Sequence, residues 1–339
     1  TTSPSDKNGV ALFESWISYD FNTNWTAKFG RQVLSYDNQR IMGGIDWLQQ
    51  GQSHDAVLVT NKKNNYQLDF GAALNNNNEA LYESAYVTNY KNMQFIWFNQ
   101  KFSKLSLSFL ALNNGYQYEN LVENKFQVAY LQTIGTYGKW DASKFYGDFG
   151  LYAQTGEAAV TNDKVAVGAY YAGFNLGYKF TNPFKAELGF EYLSGKDQND
   201  TDTKVKSFTP LFGTNHGFNG LMDYFYVGNH KNSVGLQDFY TKFIYDKNKW
   251  QVTLAPHVFY SAVSVYNMTT LEEQDSYLGA EIDLTATYKL DKNFVISGGV
   301  SKMFASDTME ILKGGNNNNC NNWAWVMVSF NPQLFTYKK

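Results

Sequence analysis

Apolar and polar side chains alternate residue by residue along many short stretches of this chain. From residue 184 to residue 191, Phe184, Leu188 and Phe190 take alternate positions with Lys185 and Glu191. A helix would scatter these charges around its axis, whereas a strand collects them on one face. The pattern therefore predicts antiparallel strands that each have one apolar and one polar face.

Fifteen stretches of this kind are separated by turn-forming residues. We predict strands at 10–21, 24–33, 53–61, 65–74, 90–100, 102–112, 124–135, 144–155, 165–180, 184–194, 236–246, 249–263, 277–290, 293–304 and 322–331. Short joins rich in Asn, Asp and Pro predict tight turns at 22–24, 61–65, 181–183, 246–248 and 291–293. Longer joins alternate with them, at 34–52, 75–89, 113–123, 195–235, 264–276 and 305–321.

The composition distinguishes a membrane barrel from a soluble sandwich. Aromatic residues make up 17% of the chain and charged residues also 17%, against roughly 25% charged in soluble domains. No apolar run approaches the roughly 18–20 residues of a membrane helix, and a spanning chain without helices must form a closed barrel. We therefore predict an all-β, transmembrane, antiparallel up-and-down barrel of about 14–18 strands, with short periplasmic turns and longer extracellular loops. It would form one domain over residues 1–339 in a Gram-negative outer membrane.

Several function classes have no support in the sequence. A net charge of -3 gives no electrostatic reason to bind nucleic acid. The single Cys320 excludes an internal disulfide and a cysteine-based zinc cluster. His54, His216, His230 and His257 lack the spacing of metal ligands. No Gly-x-Ser-x-Gly, phosphate loop or dinucleotide fingerprint is present. We predict no cofactor, no metal and no catalytic residues.

One hairpin carries a more specific signature. It contains Gly30-Arg31-Gln32, then Tyr36-Asp37 followed by Arg40, then Trp47, and finally Asp55 at the start of the next predicted strand. This order resembles the signature of the alginate export (AlgE-like) family of outer-membrane barrels. Residues 212–218, with Gly220 and Asp223, resemble a second loop of that family, and residues 323–330 resemble its last strand. The resemblance implies a barrel of about eighteen strands.

The chain departs from the family pattern in two ways. Family members carry several strands before this hairpin, whereas here it comes almost first and no signal peptide is visible at Thr1. We therefore expect either that three or four strands are missing ahead of Thr1 or that the barrel closes with fewer strands. The alginate exporter also has a strongly basic lumen, whereas this chain has only two arginines. That difference argues against alginate itself and against polyanions in general.

The position of Arg31 poses a structural question. With the turn at 22–24, strict alternation puts Arg31 on the lipid face, at a cost of about 2–4 kcal/mol at the membrane midplane. Two arrangements avoid this cost. In the favoured one, Gly30 starts a β-bulge that turns Arg31 inward toward Glu14, while Trp16 covers the glycine. In the other, Arg31 lies at the membrane rim and extends its guanidinium into water.

We predict a set of charged and polar residues along the pore. Loop 36–47 is either an inward-folded constriction or a structural loop pinned by Asp–Arg pairs. The strand acids form either a solvated wall or an acidic path that favours cations or neutral sugars over polyanions. The predicted pore-lining residues are Glu14, Arg31, Gln32, Asp37, Arg40, Asp46, Asp55, Lys185, Glu187, Glu191, Glu281 and Asp283.

The favoured function is a porin-like channel for passive passage or export of a hydrophilic solute, with a poly- or oligosaccharide as one candidate. The alternative is a structural or docking barrel within a larger outer-membrane complex, and a third hypothesis is an enzyme at the barrel rim. The expected partners are outer-membrane lipid and lipopolysaccharide, the solute, and other outer-membrane or periplasmic proteins.

Overall fold

The main architectural element is one large antiparallel sheet. The computed structural model describes residues 12–45, 47, 51–76, 86–226, 230, 233–333 and 335. Fifteen strands pair with their neighbours in chain order, as an up-and-down topology requires. They are β1 Ser15–Asp20, β2 Trp25–Gln32, β3 His54–Lys63, β4 Tyr66–Leu74, β5 Asn92–Lys101, β6 Leu105–Asn120, β7 Lys125–Ala142, β8 Phe145–Val160, β9 Asp163–Lys179, β10 Phe184–Leu193, β11 Leu236–Lys247, β12 Trp250–Tyr260, β15 Tyr277–Lys289, β16 Phe294–Ala305 and β17 Asn321–Phe330. The predicted fold class is confirmed.

Small elements interrupt two of the long joins. The strands β13 Val265–Tyr266 and β14 Glu273–Gln274 form a separate two-stranded sheet between β12 and β15. The helix α1 Asp307–Lys313 lies between β16 and β17, and Ser306 caps it by accepting a hydrogen bond from the Met309 N–H. None of the helices in the described part of the chain is long and apolar enough to cross a membrane.

Short turns lie at one end of the sheet and longer connections at the other. The prediction of a long loop at 113–123 is wrong. The polar residues Asn113, Asn114 and Gly115 suggest a turn, but they continue the ladder between β6 and β7 opposite residues 130–132. The turn itself comes at residues 121–124. The hairpins β6–β7 and β8–β9 therefore extend beyond the other strands at the end where the long loops lie.

The two faces of the sheet have opposite character. Along β5, Met93, Phe95 and Trp97 are buried on the inner face, while Ile96 between them is exposed on the outer face. The outer face carries large exposed apolar side chains on strand after strand, among them Phe29, Phe70, Ile96, Phe109, Ile134, Leu151, Leu188, Phe243 and Ile282. Such a continuous apolar band fits lipid and not water.

The inner face encloses parts of two loops. Loop L1 (residues 33–53) joins β2 to β3, and loop L2 (residues 194–235) joins β10 to β11. Side chains of L1 contact β4, β5, β6 and β10, and L2 contacts β10, β11 and β15. These strands are far apart in the sheet order, so the sheet must curve around the loops. Among the described strands, β1 and β17 each pair on one side only.

Candidate functional site: the constriction between two inward loops

Loops L1 and L2 are joined by backbone hydrogen bonds inside the barrel. The Gly43 N–H donates to the Phe212 carbonyl at 2.9 Å, and the Phe212 N–H donates to the Ile41 carbonyl at 3.0 Å. A Cβ atom on Gly43 would lie 2.4 Å from the Thr214 Oγ1, so only glycine allows this approach. The two family-like motifs therefore form one two-loop unit.

The first anchor of L1 lies on the inner wall of β4, β5 and β6. The Asp37 carboxylate accepts hydrogen bonds from the Ser108 hydroxyl at 2.6 Å and from the Trp97 indole at 3.2 Å. The Tyr36 hydroxyl donates to Asp69 at 2.9 Å. Burial raises the pKa of the Asp37 carboxyl, and the hydrogen bonds from Ser108 and Trp97 oppose that rise. These contacts hold the start of L1 against one side of the barrel.

Arg40 connects L1 to strand β10 on the inner wall. Only 2% of its surface is exposed, and its Nη2 donates to Glu191 at 2.9 Å and to the Asn219 side chain at 2.8 Å. The Tyr171 hydroxyl donates to the second oxygen of Glu191 at 2.7 Å. The guanidinium carbon lies 4.5 Å from the centre of the Phe218 ring. Arg40 thus joins L1, L2 and β10 at one buried point.

Asn219 extends this network to β11 and β12. Its amide donates to Asp238 at 3.1 Å as well as to Glu191 at 2.8 Å. His257 Nδ1 lies 2.9 Å from Asp238, and its Nε2 lies 4.0 Å from Asp283. The histidine therefore lies between two buried carboxylates.

The tip of L2 is held by two carboxylates of β15. The Met222 N–H donates to Glu281 at 2.8 Å, and the Leu221 N–H donates to Asp283 at 3.3 Å. Gly220 has a φ of +83°, and a Cβ atom there would lie 2.7 Å from the Glu281 carboxylate. A side chain at this position is therefore excluded both by the backbone and by the space available.

The charge of this constriction is predominantly acidic. Among the residues that the structure describes, Arg40 is the one arginine or lysine in this network, and Glu191, Asp238, Glu281 and Asp283 are the buried acids whose contacts are given above. Every one of these carboxylates accepts a hydrogen bond from L1, L2 or a neighbouring strand. A cavity of about 720 Å³ adjoins L2 inside the barrel. The arrangement can narrow a pore and give it a negative potential.

The predicted site residues divide between this constriction and other places. Arg40, Glu191, Glu281 and Asp283 meet in it, and Asp37 anchors L1 beside it. Three other predicted residues lie on or near the inner wall but outside the constriction. Glu187 accepts a hydrogen bond from Tyr146 at 2.9 Å, and Lys185 lies 3.4 Å from Asp246 near a short turn. Gln32 is buried and donates to the Ala56 carbonyl at 3.0 Å.

One further predicted residue does not take part in the constriction. Glu14 is exposed and accepts from the Val33 N–H at 3.2 Å, so it faces the loop backbone and not Arg31. Asp46 lies outside the described residues.

The predicted β-bulge at Gly30 is wrong. Pairing is regular through Arg31, which lies opposite Ser15 on one side and Asp55 on the other. Arg31 therefore shares the outer face with Phe29, and its guanidinium forms two 2.8 Å hydrogen bonds with Asp55. Because β2 ends at Gln32, the pair lies at the rim where L1 begins. Arg31 and Asp55 therefore do not line the pore, contrary to the prediction from the sequence. Their ion pair at the rim reduces the cost of an arginine on the outer face.

This rim pair gives a prediction about stability. In a double-mutant cycle of Arg31→Gln and Asp55→Asn, we expect a coupling energy of about 0.2–1 kcal/mol, as for other exposed ion pairs. Urea unfolding of the barrel in lipid vesicles would measure it. A coupling energy of zero would mean that the two side chains do not meet in the membrane.

The predicted site residues do not include four members of the constriction, which are Asp238, Asn219, Tyr171 and His257. Asp238 faces inward between Leu236 and Tyr240, and the alternation of that strand was a usable signal for it. Asn219 and Tyr171 carried no such signal, because an asparagine in a loop and a tyrosine in an aromatic-rich strand are both common in barrels. Their roles depend on contacts between distant segments.

Comparison with known proteins assigns the family. The model of the family described as Alginate export matches residues 1–321, a range that includes both loop motifs and ends at the start of β17. No protein of curated function matches the chain. The match covers nearly the whole chain.

Solved structures share the fold at low sequence identity. OccK10 (OpdN) of Pseudomonas aeruginosa has a TM-score of 0.59 at 10% identity, with 92% of this chain and 82% of that chain covered. OccAB1 of Acinetobacter baumannii has a TM-score of 0.59 at 14% identity, with coverages of 92% and 75%. The outer membrane protein OprD of Pseudomonas aeruginosa has a TM-score of 0.56 at 11% identity, with coverages of 90% and 75%. The sheet topology, the apolar outer face and the family match agree, and this chain belongs to the alginate export family of outer-membrane β-barrels.

Proposed function

We propose that this barrel conducts small hydrophilic solutes across the outer membrane through a lumen narrowed by L1 and L2. The observation that carries the proposal is the buried contact of Arg40 with Glu191 and Asn219, which joins both loops to the wall. Loops that fold inward and present charge to the lumen set the width and selectivity of a channel. The family and the fold are consistent with transport.

The charges of the constriction favour cations and neutral solutes over polyanions. One arginine faces the carboxylates Glu191, Asp238 and Asp283, so a polyanion would meet repulsion in a narrow space of low dielectric. The proposal therefore differs from the export of alginate, whose carboxylates need a basic path. The carboxylates keep the constriction negative, and their hydrogen bonds to the loops make it rigid.

Planar-bilayer recording tests the proposal. Purified protein in a KCl gradient should give discrete channels whose reversal potential shows selectivity for K⁺ over Cl⁻, and the selectivity should weaken as salt screens the carboxylates. Channels selective for Cl⁻ would contradict the assigned acidic constriction. A barrel without current under any voltage, together with stable co-purification of partner proteins, would instead favour a structural or docking role.

A further inference from the structure

The cavity beside L2 has two chemically different walls. Its aromatic side includes Trp323 and Trp325 of β17 and Tyr240 of β11. The Trp323 and Trp325 rings lie 6.2 Å apart between centroids. Its hydroxyl side includes Thr285 and Thr287 of β15. A ligand that fills it must therefore offer both apolar faces and many hydrogen-bonding groups.

Trp325 is placed to contact such a ligand. A Cβ atom on Gly299 would lie 2.6 Å from the Trp325 Nε1, so the glycine leaves room for the indole to lie against the sheet. Among the described atoms, this Nε1 is buried without a hydrogen-bond partner. Because this N–H lies against Gly299 of the sheet, a ligand in the cavity would meet the ring of Trp325 and not its N–H.

Each carboxylate around the cavity has a cationic or hydrogen-bonding neighbour. Glu187 lies opposite Lys242 in the β10–β11 register. Glu191 is paired with Arg40 on the far side of L2, at 2.9 Å. Asp283 accepts from Ser301 and from the L2 backbone. A ligand with a net negative charge would meet three carboxylates, and one with a net positive charge would find each carboxylate already engaged.

These observations lead to one ligand class. We infer that the cavity is a binding site for an uncharged oligosaccharide, with sugar rings on Trp323 and Trp325 and hydroxyl groups toward Thr285 and Thr287. Sugar rings combine apolar C–H faces with a rim of hydroxyl groups, which matches the two walls. The volume of about 720 Å³ lies within the roughly 300–1,000 Å³ of ordinary ligand sites. The inference rests on the proposed channel and names the solute that the channel holds.

The test measures binding separately from conduction. Quenching of tryptophan fluorescence in detergent is titrated with maltotriose, cellotriose and mannotriose, with trigalacturonate as the anionic trisaccharide and arginine as the cation. We expect saturable millimolar binding of at least one neutral trisaccharide, and binding of trigalacturonate and arginine that is at least about tenfold weaker. Equal or tighter binding of the anion or the cation would overturn the assignment.

Variants locate the site. Trp325→Leu should weaken binding at least about tenfold, because it removes the aromatic surface on which a sugar ring would lie. Trp250→Leu is the matched control, since Trp250 is exposed on the other side of the sheet wall near a short turn, and its binding should match wild type. Thr285→Val, which keeps the shape and removes one hydroxyl, serves if Trp325→Leu does not fold, and should weaken binding severalfold.

The outcomes separate the two proposals. If no neutral trisaccharide binds while the channel conducts, the sugar site is wrong and the proposed channel stands. If neutral sugars bind equally well to wild type, Trp325→Leu and Thr285→Val, the site is not this cavity. If sugars bind in a Trp325-dependent way to a barrel that carries no current, the proposed channel fails and the binding site stands.

Discussion

Arg40→Gln should increase channel conductance and shift selectivity strongly toward cations. Arg40 is the sole arginine or lysine of the described constriction and joins L1 to Glu191 and Asn219. Removing one partner of a buried ion pair leaves the other charge uncompensated, at a cost of about 3–5 kcal/mol. We expect the joined loops L1 and L2 to loosen from β10 and Glu191 to face the lumen. Single-channel conductance and the reversal potential in a KCl gradient measure both effects.

The chain supplies a matched control for this change. Arg31→Gln removes the only other arginine, whose side chain is on the outer face at the rim and paired with Asp55. It should leave conductance and selectivity as in wild type. Equal behaviour of the two variants would show that Arg40 does not line the conducting path.

Replacement of residues 208–223 in L2 by a Gly/Ser linker of the same length should open the lumen and raise conductance severalfold. This segment contains the backbone bridge to L1, the Arg40-binding Asn219, and the N–H groups held by Glu281 and Asp283. A flexible linker of equal length keeps the loop closed at similar entropic cost but removes all of these contacts. The measurement is the conductance together with the size of the largest neutral polymer that enters.

The same replacement elsewhere controls for loop flexibility. Residues 267–272 lie between β13 and β14, and Met268 and Leu271 there are exposed. A Gly/Ser linker at this place should not change the conductance. A barrel whose conductance is unaffected by loss of residues 208–223 would show that L2 does not restrict the pore.

The sequence predicts which face of a strand a residue occupies, but not how far a loop folds into the barrel. Alternation correctly oriented Glu187, Glu191, Glu281 and Asp283 toward the interior, because the side of a strand on which a residue lies is a local property. Alternation could not predict the contact between Arg40 and Glu191, which are 151 residues apart in the sequence. The same reasoning placed a long loop at 113–123, because short polar runs look alike in a loop and in a hydrated wall.

The Arg31 position shows a second limit. The register of the β1–β2 hairpin was predictable from the turn alone, and Ile17 lies opposite Phe29 as expected. The cost of an outward arginine suggested a bulge, because the sequence does not show that Asp55 on β3 lies directly across from it. The neighbouring strand β3 supplied the compensation through Asp55, and the pairing register remained regular.

The sequence by itself determined the strands, their two faces and the acidic inner wall, because a period of two residues is written in each strand without reference to its neighbours. Only the tertiary structure decided where L1 and L2 lie and which charges meet. Curvature of the sheet brings β6, β10, β11 and β15 around a common interior, and Arg40, Asn219 and Asp238 become neighbours there. Such contacts depend on the curvature of the whole sheet, which no local sequence pattern predicts.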